Sequence, residues 1–158
     1  MKKILVVLAL LFSSVFANNI NDCKNLAGKY FIQVARFQLT TIVKLNFEGR
    51  FFNEQEWVNM LSVAGTTEIV RIANNNLRKR GYYNAAIYIE TFLNKDPNTA
   101  NDFIVETFKR DYNVLMNNIK NNVFKNDYEL ESFIAYYKKE NSKDFNEIVN
   151  KLDSCIYY

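Results

Sequence analysis

Apolar positions recur along most of the chain every three or four residues, the spacing of one face of a helix. From Asp22, which suits an N-cap, Leu26, Ala27, Tyr30, Phe31, Val34, Phe37, Thr41, Ile42 and Leu45 keep this spacing. They predict a helix to about Phe47, with Gly49 just beyond its end. Phe37, Leu39, Thr41, Val43, Leu45 and Phe47 also alternate with period two, so a strand over residues 37–47 is the competing reading. No second alternating run follows to pair with it, which favours the helix.

Asn53 and Glu56 form a capping-box start for a helix carrying Trp57, Met60, Leu61 and Ala64, which Gly65 ends or kinks. Thr66 or Thr67 opens the next, with Ile69, Ile72, Ala73 and Leu77 on one face, Arg78, Lys79 and Arg80 in its last turn and Gly81 as the stop. Tyr82, Ala85, Ala86, Ile89, Phe92 and Leu93 stripe a further helix, closed by Asp96 and Pro97. After Asn98 the longest helix runs to about Phe124, striped by Ile104, Phe108, Tyr112, Leu115, Ile119 and Val123. Two shorter helices follow: one with Leu130, Phe133, Ile134 and Tyr137, the other capped by Ser142 and carrying Phe145, Ile148, Val149, Leu152 and Ile156. The sum is an all-α protein of six to seven helices, a bundle or short stack of antiparallel helical hairpins, with a single proline to interrupt it.

The first residues follow another pattern. Lys2 and Lys3 precede an apolar run from Ile4 to Phe12, and Val15 and Ala17 stand where a signal peptidase requires small residues. Residues 1–17 read as a signal peptide, since about nine apolar residues fall well short of the roughly 20 that span a bilayer. Residues 18–158 are then expected to form a single exported all-α domain with no stable membrane insertion. Cys23 follows Asn21 and Asp22 rather than small residues, so no lipid anchor is expected.

Charge narrows the partners. Cleavage would remove two of the 20 basic residues and none of the 17 acidic ones, leaving a net charge of +1. Nucleic-acid binding loses support, because it relies on a concentrated positive surface. The many Asn, Lys, Phe and Tyr residues resemble the usage of an AT-rich bacterial genome. With so short a signal, the periplasm of a Gram-negative cell is the expected compartment, and extracellular release is the alternative. There, Cys23 and Cys155 read as a disulfide between the first and last helices; two free thiols or an intermolecular bridge are the alternatives.

Gly81 to Asn98, GYYNAAIYIETFLNKDPN, resembles the second helix and exit turn of a tetratricopeptide repeat, with Tyr82, Ala85, Ile89 and Pro97 at matching spacing. Together with the preceding helix the resemblance covers about residues 66–98. Phe92 replaces the small residue of that motif, and the helix after Pro97 is too long for a repeat of about 34 residues. The resemblance implies protein recognition through a helical face, with no chemistry of its own.

The candidate chemistry is thin. There is no histidine, which removes the commonest general base and metal ligand, and no phosphate-cradling or nucleophile-elbow motif. A carboxylate pair drawn from Glu54, Glu56, Glu90, Glu106, Glu129 and Glu131 is the remaining route to catalysis, and each suits a helix first turn or solvated face better. The reading is therefore not an enzyme, with no catalytic residue, no metal and no cofactor. Arg71, Arg78, Lys79, Arg80, Trp57, Tyr157 and Tyr158 are the candidate interaction residues. The expected role is a periplasmic interaction module, a small adaptor or accessory subunit of an envelope assembly such as a flagellar motor, secretion or transport complex. Its partner would be another envelope protein. A soluble carrier of an apolar small molecule, suggested by the abundant aromatics, and a secreted inhibitor or effector are the alternatives.

Overall fold

A computed structural model describes residues 2–47, 59–121 and 125–157, with side chains described from residue 21 onward apart from 43, 46, 47, 115, 116 and 118–120. Five helices are found among the described residues: α1 (Lys2–Phe47), α2 (Val63–Lys79), α3 (Tyr83–Lys95), α4 (Pro97–Lys120) and α5 (Asp127–Leu152). No strand occurs among them, and residues 37–47 are helical. The expected capping box at Asn53 and Glu56, together with Trp57, lies outside the described residues.

In α1 the buried apolar positions are Cys23, Ala27, Tyr30, Phe31, Val34, Ala35, Leu39 and Ile42, helical spacing that keeps most of the predicted stripe but leaves Thr41 exposed and buries Leu39 and Ala35. Asp22 does not cap this helix, because α1 runs on from Lys2 through the segment read as a signal peptide. Its main neighbours are α4 and α5. Gly28 meets Phe103 of α4, where a Cβ would lie 2.8 Å from the ring, and Arg36 reaches Asp111, so α1 and α4 run in the same sense. Helix α5 runs the other way along α1, from Glu131 beside Lys44 to Cys155 bonded to Cys23. Helices α2 and α3 pack over the remaining flank, with α3 also touching α4 and α5.

The junctions show where the described helices depart from the expected six or seven. The Ser62 hydroxyl accepts the Gly65 amide at 3.2 Å, so α2 starts at Val63, and Gly65 neither ends nor kinks a helix. A Cβ on Gly65 would stand 2.5 Å from the Met60 carbonyl oxygen, so the position admits no side chain without rearrangement. The predicted break at Ser142 is also absent. Its hydroxyl donates to the Lys138 carbonyl at 2.7 Å, and Asn141 Nδ2 donates to the Tyr137 carbonyl at 2.8 Å, so both polar groups are satisfied inside one continuous α5. The cap of that helix is Asn126, whose side chain accepts the Glu129 amide, while the Glu129 carboxylate reaches back to the Lys125 amide.

Other stops fall where the sequence puts them. Gly81 adopts φ +87°, its amide bonding the Arg78 carbonyl and that of Tyr82 the Leu77 carbonyl, the paired closure of a helix end. Asp96 ends α3, and its carbonyl accepts the Ala100 amide at 3.3 Å, opening α4 behind Pro97.

The core has two parts. The larger gathers Tyr30, Phe31, Val70, Leu77, Ile89, Phe92, Ile104, Val149 and Leu152 around the disulfide; the smaller joins Leu39, Ile42, Phe108, Leu130 and Ile134. Among the described residues no helix is long and apolar enough to cross a membrane.

Candidate functional site

The orientation of α2 decides what the surface offers. The sequence places Ile69, Ile72, Ala73 and Leu77 on its buried face, whereas the structure buries Thr66, Val70, Asn74 and Leu77. Two polar anchors hold that rotation. Tyr30 Oη donates to Asn74 Oδ1 at 2.8 Å, and Thr66 Oγ1 lies 2.8 Å from Asn101 Oδ1 of α4. Asn74 Nδ2 also donates to the Ala86 carbonyl at 3.3 Å, so a buried amide is satisfied at both ends. Turning Asn74 inward turns Ile72 outward, and its side chain is 53% exposed.

Ile72 stands in a groove of about 450 Å³ between α1, α2 and α5. Its apolar walls are Val34, Phe37, Ile69, Ala73, Leu77 and Phe145, and Gln38, Asn76, Lys79 and Arg80 supply the polar groups. Phe145 is fixed between two rings of α1, edge-on to Phe37 with centroids 5.5 Å apart and tilted on Tyr30 at 5.7 Å. An apolar groove beside two cations can take an apolar side chain and an acidic neighbour on the same segment.

The predicted basic cluster is divided. Lys79 and Arg80 reach the groove; Arg80 Nη2 donates to Asn146 Oδ1 at 2.9 Å, and its guanidinium lies 5.5 Å from the Tyr82 ring centre. Arg78 instead pairs with Glu90 of α3 at 2.5 Å, a hydrogen bond that raises its pKa. Arg71 pairs with Glu68 one turn earlier at 2.8 Å. Tyr157 is half-buried: its ring packs 5.2 Å from Tyr88 and 6.0 Å from Phe92, its hydroxyl donates to Asp96, and Lys95 lies over its face. Trp57 and Tyr158 lie outside the described residues.

Cys23 and Cys155 are bonded, with Cα atoms 5.9 Å apart, and both are buried in the larger core. Beside them Asp153 Oδ1 accepts the Ala85 amide at 3.1 Å, capping α3 from the end of α5. The chain end therefore holds three helices together.

The carboxylates considered for catalysis are placed as follows. Glu90 is taken by Arg78, Glu131 by Lys44 and Glu129 by its cap, Glu106 is exposed on α4, and Glu54 and Glu56 lie outside the described residues. Among the described residues no three His, Cys, Asp or Glu side chains gather as metal ligands. Some of the aromatic rings that suggested a carrier pack on one another in the core, as Phe31 does on Phe92 at 5.4 Å and on Phe103 at 6.5 Å, while Tyr83, Tyr128 and Tyr136 are exposed.

Sequence reasoning missed the groove because its walls come from three helices. The available signal was on α2, where Ile69, Ile72, Asn76 and Arg80 follow one another at helical spacing. No protein-family model, curated protein or solved structure matches the chain.

Proposed function

We propose that this chain is exported to the periplasm of a Gram-negative cell, loses residues 1–17, and works there as a helical adaptor in an envelope assembly. The partner contributes an amphipathic helix with apolar anchors and flanking Asp or Glu residues, seated between α1, α2 and α5. The observation that carries the reading is Ile72, half-exposed in an apolar groove with Lys79 and Arg80 at its edge. Apolar anchors in a groove supply affinity, and the two cations select an acidic sequence and its orientation. The Cys23–Cys155 bridge suits an oxidising compartment, and the tetratricopeptide resemblance of residues 66–98 suits protein recognition.

A photo-reactive residue at Ile72 in the intact envelope tests this, with one at Ile87, 55% exposed on α3, as the control. The expected product is a heterologous adduct at Ile72 that maps to an acidic amphipathic helix. It should weaken when Lys79→Glu and Arg80→Glu are combined. Equal labelling from Ile87, a homodimeric adduct or no adduct would overturn the reading.

A further inference from the structure

A second groove, of about 460 Å³, uses other faces of α1 and α5 and is closed by Arg110 of α4. We infer that it binds a small zwitterion of the apolar amino-acid type. Its volume is in the range of small-molecule sites.

The groove carries unmatched groups of both signs. Arg36 and Arg110 share a single carboxylate, Asp111, at 3.2 and 3.0 Å, each through Nε. One positive charge is left uncompensated, and the forked terminal N–H groups of both side chains remain for a second carboxylate. Lys29 lines the same groove and forms no ion pair among the described residues, while Lys151 is neutralised by Glu147 at 2.9 Å. The ligand's carboxylate goes to Arg36 and Arg110, which meet at Asp111.

One feature asks for a donor. Asp144 lines the groove, is exposed and forms no ion pair among the described residues. An ammonium group from a ligand satisfies Asp144. Leu26, Ile32 and Ile148 provide the apolar wall for a side chain. The site is separate from the partner groove, and its occupancy does not depend on that reading.

Calorimetric titration of the purified protein with leucine, with 4-methylpentanoate, which lacks the ammonium, and with isopentylamine, which lacks the carboxylate, tests the assignment. Leucine should bind at least about tenfold more tightly than either analogue, the scale of one charge-assisted hydrogen bond. Asp144→Asn should abolish the advantage over 4-methylpentanoate, and Arg110→Gln should weaken leucine and 4-methylpentanoate alike. Both positions are exposed, and an unchanged far-ultraviolet spectrum confirms the fold. Equal binding of leucine and 4-methylpentanoate, tighter binding of inorganic phosphate, or no saturation by leucine at millimolar concentrations would each overturn it.

Discussion

Tyr30 and Asn74 are 44 residues apart in the chain and are joined in the core by a 2.8 Å hydrogen bond. Tyr30 is fully buried on α1, and Asn74 spends its other polar atom on the Ala86 carbonyl of α3. One amide thus fixes α2 against two helices and sets which of its apolar residues reach solvent.

Tyr30→Phe keeps the ring and strands Asn74 Oδ1, so unfolding in urea should shift to lower denaturant by about 1–3 kcal/mol. Adding Asn74→Leu should cost less than the sum of the two single changes, because the shared bond is already lost. Strict additivity would show that the bond contributes nothing.

Ser142→Ala separates the two readings of the C-terminal region. An N-cap serine replaced by alanine costs about 1 kcal/mol. A serine inside a helix, bonded back to the preceding turn, should be neutral or gain a few tenths of a kcal/mol. The second outcome is expected for α5, measured by the thermal midpoint.

The sequence-level expectations that held were those set by local chemistry. Gly81, with its positive φ, and the Asp96-Pro97 step need only their neighbours to end a helix, and both do so as read. Helical spacing also found the buried stripes of α1 and α3. Expectations that depended on tertiary partners shifted. Ser142 has the side chain of a cap, but nothing in its own segment says that the hydroxyl is satisfied within a longer helix. Ile72 belongs on an apolar stripe until Tyr30 supplies a partner that makes Asn74 the better residue to bury.

Removing the disulfide should be costly. The bonded cysteines are separated by 132 positions, and the chain-entropy argument gives up to about 5 kcal/mol for so long a loop, with about 2–5 kcal/mol the usual loss in practice. The Cys23→Ser, Cys155→Ser double variant should unfold at lower urea, and reductant should have no further effect on it. If reductant still destabilises the variant, the bridge is not the source.

Alkaline pH should unfold the protein between about 10 and 12. Burial pushes the Tyr88 hydroxyl up to about 12, helped by neighbouring Tyr157, and burial followed by the charge of Asp111 does the same for Tyr137. Burial raises Tyr30 further still. Unfolded tyrosines ionise near 10, so the unfolded chain releases its protons first. The stability held by these neutral hydroxyls is whole below that pH and is lost as pH climbs through the folded values. The share of phenolate absorbance that belongs to Tyr30, Tyr88 and Tyr137 should rise late and together with loss of helix; full ionisation of all ten tyrosines with the helices intact would contradict the burial.

The parallel course of α1 and α4, with α5 returning along α1, has a consequence for biogenesis. The apolar side of α1 emerges first, yet the surfaces that cover it lie about 75 residues later at Asp111 and 132 later at Cys155. Such distant pairings make final collapse wait for late segments. Until then Cys23 is an unpaired thiol on a greasy helix, open to oxidation by the wrong partner before its own arrives.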